Sequence, residues 1–269
     1  MSDREAPIGV FDSGVGGLTV IRALEKRLPN ESLIYLGDTA RIPYGTRSVP
    51  TVQRYASEDA AFIESKNVKA IVIACNTASA LAADYLEKVC SVPVIGVRWP
   101  GARKAAALSR TGTAGVIATE ATIASRAYDK AILSIRPEVK IISHACPLFV
   151  PLAEEGWLNH HVTRLIAEEY LAELKNSDID TLVLGCTHYP ILRPVIEEVL
   201  GRQINYVDSG QAVAEEVAVL LEERQLSRTT ASQRIEEFYV TDAAGRFQRV
   251  AELFLGRRLE SVETIKLGA

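Results

Sequence analysis

The chain has 269 residues, of which 48% are apolar and 24% are charged, and its net charge is −4 at pH 7. The length allows one large domain or two domains of about 100–150 residues. We expect no nucleic-acid partner because there is no basic excess, and no membrane span because no apolar stretch approaches about 18 residues. Residues 1–7 lack the apolar segment of a secretion signal. Four cysteines are too few for a disulfide scaffold, so we expect a cytoplasmic protein.

Short apolar runs alternate with helical patterns along the chain. Nine runs predict strands: Ile8–Phe11, Ser32–Leu36, Ala70–Ala74, Val92–Val97, Gly115–Ala118, Val139–Ser143, Thr181–Gly185, Ile204–Val207 and Phe238–Thr241. Most are continuously apolar, as expected for strands buried on both faces of a parallel sheet. Between them lie apolar stripes with helical spacing, such as Leu18, Ile21, Leu24 and Leu28. This alternation predicts an α/β fold with helices on both faces of a mainly parallel sheet.

Two cysteines occupy matching places in two halves of the chain. Cys75 follows the apolar run 70–74, and Cys186 follows the run 181–185. Each therefore ends a predicted buried strand and opens a polar turn that leads into a helix. One such cysteine suggests a nucleophile, whereas a matched pair suggests two acid/base groups that face each other across one substrate.

The same internal similarity predicts the domain organisation. Strand ends fall at Asp12, Asp38 and Cys75 in the first half, and at corresponding places in the second. We expect two similar α/β domains, of residues 1–97 plus 209–269 and of residues 98–208. In that arrangement the final sixty residues return to the first domain.

Ligands gather at the carboxyl ends of the strands in open α/β sheets. Asp12, Asp38, Cys75, Thr119 and Cys186 fall at such ends. A free cysteine is often a small buried apolar residue, and this interpretation suits Cys90 and Cys146. Cys75 and Cys186 differ because each precedes the first turn of a predicted helix, where the helix dipole and free amides favour a thiolate. We therefore also expect a thiol with a depressed pKa.

A glycine-rich turn at residues 11–17 separates the first predicted strand from its helix. It does not match a dinucleotide fingerprint, which would need glycine at Thr19, and it lacks the Gly-Lys-Ser/Thr ending of a phosphate loop. The glycines are better explained by a tight turn that directs Asp12 and Ser13 into a small site. Asp12 as a simple helix cap is the alternative.

His188 lies two residues after Cys186, so the two could bind a metal together. A structural zinc site needs four ligands, and no second Cys/His cluster of suitable spacing is present, so we expect no metal. His188 is better explained as a proton donor or an electrostatic neighbour of the thiol. His160 and His161 fit the solvated start of a helix, and Glu154, on its own pattern, fits a surface carboxylate.

A pair of opposed thiols suits a carbon atom with a weakly acidic hydrogen beside a carboxylate. Removal of the proton on one face and return of a proton on the other inverts the centre, and each positioned acid or base contributes about 10²–10⁴-fold. Small donors that suit carboxylate binding are Ser13, Asn76, Thr77, Thr119, Thr122 and Thr187. No lysine stands in a recognisable cofactor motif, so pyridoxal phosphate is not indicated.

Specific motifs along nearly the whole chain resemble those of bacterial glutamate racemases, in the cofactor-independent aspartate/glutamate racemase superfamily. The motifs are Phe11–Val20, Gly37–Gly45, Ala74–Ser79, Val116–Ile123, Ala145–Pro151 and Gly185–Pro190. The resemblance implies two α/β domains related by an approximate two-fold, with the substrate enclosed between them. The chain departs from the family pattern at Arg98-Trp99, where an apolar and an acidic residue are usual, and at Ala118, where glycine is common.

The resemblance also implies roles for individual residues. Cys75 would take the proton from D-glutamate with assistance from Asp12, and Cys186 would take it from L-glutamate with assistance from His188, positioned by Glu154. Implied substrate-binding residues are Ser13, Tyr44, Gly45, Asn76, Thr77, Thr119, Thr122 and Thr187. The implied product, D-glutamate, supplies peptidoglycan synthesis. Glutamate is the implied partner, no cofactor is implied, and a homodimer is allowed.

Three other functions compete with this interpretation. A racemase of the same superfamily could act on aspartate or a hydantoin, because pocket depth sets substrate length. A cysteine hydrolase or transferase could use Cys186 with His188 as its base, although this leaves the placement of Cys75 unexplained. A non-catalytic protein that binds a small anion would bind glutamate without exchanging its α-hydrogen.

Overall fold

The computed structural model describes residues 3–229 and 234–268, and within them the chain forms two parallel β-sheets. The strands are β1 (Ile8–Asp12), β2 (Leu33–Gly37), β3 (Ala70–Ile73), β4 (Val94–Gly96), β5 (Thr113–Ala118), β6 (Lys140–Ala145), β7 (Thr181–Gly185), β8 (Asn205–Asp208), β9 (Glu236–Val240) and β10 (Glu263–Thr264). The first sheet has the order β10-β9-β2-β1-β3-β4, and the second has the order β6-β5-β7-β8. All the pairings are parallel.

Helices connect the strands. They are α1 (Leu18–Arg27), α2 (Val49–Ser65), α3 (Asn76–Val89), α4 (Arg98–Leu108), α5 (Glu120–Ser125), α6 (Ala127–Ile135), α7 (Phe149–Glu154), α8 (His161–Lys175), α9 (Arg193–Leu200), α10 (Ser209–Glu223) and α11 (Ala244–Leu255). Short 3-10 helices span Asp3–Glu5, Tyr44–Thr46 and Tyr189–Leu192. The predicted α/β class is confirmed, and so is the mainly parallel pairing.

The two sheets repeat one strand order. The order β2-β1-β3-β4 in the first sheet corresponds position by position to β6-β5-β7-β8 in the second. Because both repeats are parallel, the segments that follow β3 and β7 leave equivalent edges of their sheets. Cys186 is the first residue after β7 and Cys75 is the second residue after β3, so the repeat in the fold explains the matched placement of the two cysteines.

Apolar side chains on both faces account for the burial of the central strands. Every residue of β1, β2, β3 and β7 is buried, as the continuous apolar runs indicated. Helices α2 and α3 pack together, as do α1 and α10, α4 and α6, and α8 and α9. One apolar cluster contains residues of both sheets, among them Val72 of β3 and Leu184 of β7. The sheets therefore share a continuous core, which holds their two cysteine-bearing edges in place.

The C-terminal segment extends the first sheet rather than the second. Strand β9 pairs with β2, and β10, which the sequence pattern did not predict, pairs with β9. We propose the domain boundaries near Val97 and Asp208 on this basis. Residues 1, 2, 230–233 and 269 of the proposed first domain lie outside the described residues. None of the helices within the described ranges is both long and apolar enough to cross a membrane.

The unusual Arg98-Trp99 pair lies where the chain passes from β4 into α4. Arg98 is buried, and its main-chain N–H donates to Ser79 Oγ over 3.0 Å. Its guanidinium donates from Nη2 to Asp84 Oδ1 over 2.5 Å, and it lies 5.2 Å from the Trp99 ring centroid. The cation thus joins the start of α4 to α3 at the junction between the two sheets.

Candidate active site

A cavity of about 290 Å³ opens where the carboxyl ends of β1, β3, β5 and β7 converge. This volume is near the lower end of the roughly 300–1,000 Å³ of typical small-molecule sites, so it suits a small substrate. Its lining residues are Ser13, Gly14, Ile42, Pro43, Tyr44, Gly45, Thr46, Cys75, Asn76, Thr77, Thr119, Glu120, Pro147, Val150, Pro151, Glu154, Cys186, Thr187 and His188. The two cysteines therefore border one cavity, each carried by a different sheet.

Cys75 is the N-cap residue of α3. Its sulfur accepts a hydrogen bond from the Ala78 amide over 3.5 Å, and its thiol donates to Ser13 Oγ over 3.6 Å. Burial, together with the nearby charge of Asp12, raises the pKa of the Cys75 thiol from 9.0 to about 12. The expected depressed pKa is therefore wrong for Cys75, because the amide at the helix start does not offset the loss of water and the adjacent carboxylate. A pKa of about 12 keeps Cys75 in the protonated thiol form near neutral pH.

Cys186 lies at the end of β7 beside His188. His188 Nδ1 is 3.8 Å from Cys186 Sγ, and His188 Nε2 is 3.1 Å from Glu154 Oε1. Burial alone would lower the pKa of His188, but its hydrogen bonds to Cys186 and Glu154 and their negative charges raise it to about 10. Burial opposes the charge on Glu154 too, yet the bond from His188 and the charges of His188 and Arg246 lower the Glu154 pKa. His188 is thus an imidazolium that can stabilise negative charge on the neighbouring sulfur.

Arg246 on α11 extends this row of charges to the protein surface. Its Nη2 lies 3.3 Å from Glu154 Oε2, on the opposite carboxylate oxygen from His188. The side chain of Arg246 is 56% exposed, so water screens its charge. The row joins the C-terminal part of the chain to the cavity through Glu154.

Asp12 lies behind the cavity wall rather than in it. The Gly14 amide donates to Asp12 Oδ2 over 3.0 Å, and Thr187 Oγ1 is 3.5 Å from Asp12 Oδ1. Burial raises the pKa of Asp12, although the charge of His188 and the amides of Gly17 and Gly14 oppose this shift. Asp12 therefore bridges the glycine-rich turn and the segment after Cys186.

The glycine-rich turn approaches the second half closely at Gly16. A Cβ atom on Gly16 would overlap Thr187 Oγ1 and His188 Nδ1. The hydroxyl of Thr19, where a dinucleotide fingerprint would have glycine, donates to the Thr187 carbonyl over 3.0 Å. The turn thus packs one half of the site against the other. Of the two residues that it was predicted to direct into the site, Ser13 lines the cavity and Asp12 does not, and the N-cap of α1 is Gly17 rather than Asp12.

Three threonine hydroxyls meet at the junction of the two sheets. Thr77 Oγ1 lies 3.0 Å from Thr119 Oγ1 and 3.2 Å from Thr122 Oγ1, and the latter two are 3.0 Å apart. Thr77 and Thr119 line the cavity, whereas Thr122 is buried behind them. The cluster places donors from both halves at one wall.

The side chain of Asn76 is engaged within the protein. Its Oδ1 accepts from the Tyr128 hydroxyl over 2.6 Å, and its Nδ2 lies 3.4 Å from Ser209 Oγ. Ser209 in turn donates to the Leu184 carbonyl over 3.1 Å. These hydrogen bonds of Asn76 therefore link the start of α3 to the second sheet.

The loop after β2 supplies Tyr44 and Gly45 to the cavity. Gly45 approaches the other half so closely that a Cβ there would lie 2.8 Å from Thr119 Cβ. Asp38, at the end of β2, does not line the cavity and instead contacts Arg41 and the Tyr44 hydroxyl from behind. Of the implied site residues, Asp12 and Thr122 are the two that support the wall without lining it.

Comparison with known proteins gives one family. The model of the Asp/Glu/hydantoin racemase family matches residues 8–217. The chain belongs to this family. It is 52% identical to a glutamate racemase of Geobacter metallireducens over 262 residues, which cover 97% of each chain. It is accordingly an amino-acid racemase, which is an isomerase.

Two solved structures share the whole fold of this racemase. A glutamate racemase of Francisella tularensis in complex with D-glutamate has a TM-score of 0.92 and 42% identity over 98% of both chains. A glutamate racemase isoform of Bacillus anthracis has a TM-score of 0.94 and 38% identity over 98% of both chains. The similarity therefore covers both sheets and the cleft between them.

The remaining polar residues of this racemase do not form a metal site. No group of three or more His, Cys, Asp or Glu side chains within residues 3–229 and 234–268 could hold a metal ion. His160 accepts from the Val162 amide over 3.3 Å and thereby caps α8, and the neighbouring His161 is exposed. Both lie at the start of that helix, as their pattern indicated.

Sequence patterns missed three residues around the site: Arg41, Asp59 and Tyr128. For Asp59 a signal was present, because it lies on the face of α2 that also carries Val52, Ala56 and Ile63. A carboxylate on an apolar helix face is rare unless it is paired. Tyr128 and Arg41 gave no such signal, since their partners are distant in sequence or lie in an irregular loop.

Proposed function

We propose that this racemase interconverts L-glutamate and D-glutamate by direct proton transfer between two cysteines. One observation carries the proposal: the two sulfurs border a single small cavity, and each is supplied by a different sheet. A carbon atom between them can lose a proton to one side and gain a proton from the other. One thiol from each sheet at the same cavity therefore supports inversion without a cofactor.

In the L-to-D direction, the Cys186 thiolate removes the α-proton and becomes a thiol. The electron pair of the C–H bond passes into the α-carboxylate and forms an enediolate. The Cys75 thiol then protonates the carbon on the opposite face and becomes a thiolate. The D-to-L direction exchanges the roles, so each turnover leaves the two sulfurs in the opposite protonation states.

The surroundings of each sulfur support these starting states. The raised pKa of Cys75, about 12, keeps it protonated and ready to donate. The His188 imidazolium beside Cys186 stabilises a thiolate there, and Glu154 holds the imidazole ring through Nε2. We infer that Asp12 assists proton transfer on the Cys75 side from its buried position.

The donors around the cavity would hold the substrate and the enediolate. We assign this role to Ser13, Tyr44, Gly45, Asn76, Thr77, Thr119, Thr122 and Thr187, of which Thr122 acts through the threonine cluster. Asn76 would contribute its main-chain amide at the start of α3, because its side chain is engaged elsewhere. A fixed donor aimed at developing negative charge contributes about 3 kcal/mol to transition-state stabilisation.

We further propose that D-glutamate from this reaction supplies peptidoglycan synthesis and that the enzyme works in the cytoplasm. The relatives that share its full length are named as glutamate racemases, which supports glutamate over aspartate as the substrate. No cofactor is assigned to the reaction. A homodimer stays a prediction.

A comparison of initial racemisation rates tests the substrate. We expect both enantiomers of glutamate to be converted, and aspartate and hydantoins to react at least about tenfold more slowly, since one missing methylene in a pocket costs about 1–3 kcal/mol. Aspartate or a hydantoin preferred over glutamate would overturn the proposal. A stable acyl-enzyme on Cys186 without isotope exchange at the α-carbon would favour a hydrolase or transferase instead.

A further inference from the structure

A second buried polar cluster lies directly behind the cavity wall, around the hydroxyl group of Tyr44. Tyr44 lines the cavity and is 1% exposed, while its hydroxyl contacts the carboxyl groups of Asp38 and Asp59. Asp38 follows β2 and Asp59 lies on α2, and both side chains are fully buried. Neither aspartate lines the cavity, so neither can touch the substrate.

The two carboxyl groups differ in the number of donors around them. Asp38 Oδ1 accepts from Thr241 Oγ1 over 2.9 Å, and Asp38 Oδ2 accepts from Arg41 Nε over 2.6 Å and contacts the Tyr44 hydroxyl. Asp59 Oδ1 accepts from Arg41 Nη2 over 2.9 Å, and the partner of Asp59 Oδ2 among the described residues is the Tyr44 hydroxyl, also at 2.9 Å.

The other charged and titratable neighbours are few. Arg41 Nη1 contacts Glu58, whose side chain is 30% exposed, and the guanidinium lies 4.3 Å from the Tyr55 ring centroid. A second guanidinium, that of the exposed Arg54, lies 5.1 Å from the same ring centroid. Among the described residues, Arg41 is the cation that pairs with the two buried aspartates and the partly exposed glutamate, so these carboxyl groups outnumber the cation bonded to them.

Proton counting decides the state of the cluster. A phenol has one hydrogen, so Tyr44 can donate to one of the two carboxyl groups and must accept from the other. If both were ionised, an anionic oxygen would face the phenol oxygen at 2.9 Å without a proton between them, in a site without water exposure. Asp38 already has three donors, which suits a carboxylate. Asp59 Oδ2 is thus the oxygen that bears the extra proton.

We propose that Asp59 is a protonated positioning residue, and that the hydrogen-bond chain Asp59–Tyr44–Asp38 clamps the wall of the cavity formed by Tyr44 and Gly45. The proposal rests on the proposed role of that wall in binding glutamate. Burial and the charge of Asp38 raise the pKa of Asp59 well above its usual 3.8, in agreement with the hydrogen-bond count. The clamp recognises no ligand itself and acts on substrate affinity through Tyr44.

The proton makes the clamp sensitive to pH in one direction. Because the pKa of Asp59 is raised in the folded protein, the neutral form and the intact clamp exist below that pKa. As the pH rises through it, Asp59 ionises and repels both the phenol oxygen and Asp38. We expect the KM for glutamate to rise on the alkaline side, with a smaller change in kcat.

Two amide substitutions separate the roles of the aspartates. Asp59→Asn places an NH₂ group where the protonated oxygen lies, so it can still donate to Tyr44 and accept from Arg41. Asp38→Asn removes the anion that accepts three hydrogen bonds. We expect D59N to keep KM and kcat within about twofold at neutral pH and to lose the alkaline rise in KM, and D38N to raise KM at least about tenfold.

An infrared spectrum gives a readout that does not depend on turnover. The wild-type spectrum minus the D59N spectrum should contain the carbonyl stretching band of one buried protonated carboxyl group; the subtraction is needed because burial also raises the pKa of Asp12. Glu58→Gln is the matched control, since Glu58 contacts Arg41 but not Tyr44. It should keep both the band and the alkaline rise in KM.

Any of three results would overturn the proposal: no carboxyl band in the difference between the wild-type and D59N spectra, a KM for D59N raised as far as that of D38N, or failure of D59N to fold. Failure of D59N to fold would contradict the proposal because an asparagine at this position can make the same hydrogen bonds to Tyr44 and Arg41 as a protonated aspartate. If the wild type did not racemise glutamate at all, the proposed function would fail, while the infrared comparison would still decide the state of Asp59.

Discussion

The two sides of the cavity share a backbone plan but differ in charge. Cys75 and Cys186 each follow the third strand of a four-strand repeat. Behind Cys75 lie Ser13 and the carboxyl group of Asp12, whereas beside Cys186 lies the His188 imidazolium. The local fold is therefore repeated, and the electrostatic environment of the sulfur is not.

This difference teaches how one fold can give two thiols unlike electrostatic surroundings. Burial and an anionic neighbour favour the neutral thiol of Cys75, whereas the cationic His188 lies beside the Cys186 sulfur. Inversion by two bases, as proposed, needs one thiol and one thiolate at the start of each turnover. A few side chains behind the strand ends supply the difference, without a metal or cofactor in the proposed reaction.

Removal of either cysteine sulfur should have the largest effect on the rate of racemisation. Cys75→Ala and Cys186→Ala should each reduce racemisation in both directions by up to about 10⁴-fold, because one base cannot serve both faces of the carbon. Circular dichroism at a glutamate-specific wavelength follows the conversion. Cys90→Ala, outside the cavity, is the control and should keep full activity. More than a tenth of wild-type turnover in either active-site variant would contradict the two-base account.

The rate of alkylation in the absence of substrate tests the protonation state of Cys75. With a pKa of about 12 instead of 9.0, Cys75 has about a thousandfold smaller thiolate fraction near neutral pH than it has in the unfolded chain. Its rate of alkylation should therefore be about a thousandfold lower in the native protein and should keep rising up to about pH 12. Peptide mass spectrometry after timed iodoacetamide treatment measures this. If Cys75 were alkylated as fast in the native protein as in the unfolded chain, the proposed protonated state of its thiol would be wrong.

Loss of the cation should weaken the Cys186 side selectively. His188→Asn should lower kcat/KM about a hundredfold, as expected for removal of a group that stabilises charge in the transition state. The fall must be equal in both directions, because the enantiomers have the same free energy in water. The measurement that distinguishes the two directions is the primary deuterium isotope effect. It should increase more for α-deuterated L-glutamate than for α-deuterated D-glutamate. Equal growth for both would contradict the assignment of His188 to one side. His160→Asn, at the start of α8, is the control.

The smallest effect concerns the outer end of the charge row. Arg246→Gln should lower kcat/KM by up to about fivefold, because an exposed ion pair contributes about 0–1 kcal/mol. Removal of this cation should also lower the tendency of Glu154 to stay ionised, so the acidic limb of the pH–rate profile should move to higher pH. Arg249→Gln removes the same charge from the exposed face of the same helix and should leave the profile in place. An equal shift in both variants would indicate a net-charge effect only.

Local patterns in the sequence predicted much of this fold. Apolar runs such as Thr181–Gly185 predicted buried strands, because a strand that is buried on both faces needs mostly apolar side chains. The matched cysteines were visible because each follows such a run directly. Strand β10 was not, since it has two exposed residues and depends on pairing with β9.

Long-range contacts set the limits of prediction at the site. The link between Arg246 and Glu154 joins residues 92 positions apart, and the Tyr128–Asn76 bond joins residues 52 apart. The raised pKa of Cys75 also depends on Asp12, which comes from another strand. A helix-start pattern alone predicted the opposite direction, because it contains no information on burial or on that neighbour.

Racemisation in heavy water tests the central claim most directly. Each glutamate enantiomer is incubated with the enzyme in D₂O, and deuterium at the α-carbon is measured separately in the two enantiomers at early times. The account predicts that the newly formed enantiomer carries solvent deuterium from its first appearance, while the remaining substrate keeps its original hydrogen, in both directions. Product that retains the substrate's own α-hydrogen, or substrate that exchanges as fast as product forms, would contradict two opposed sulfur bases.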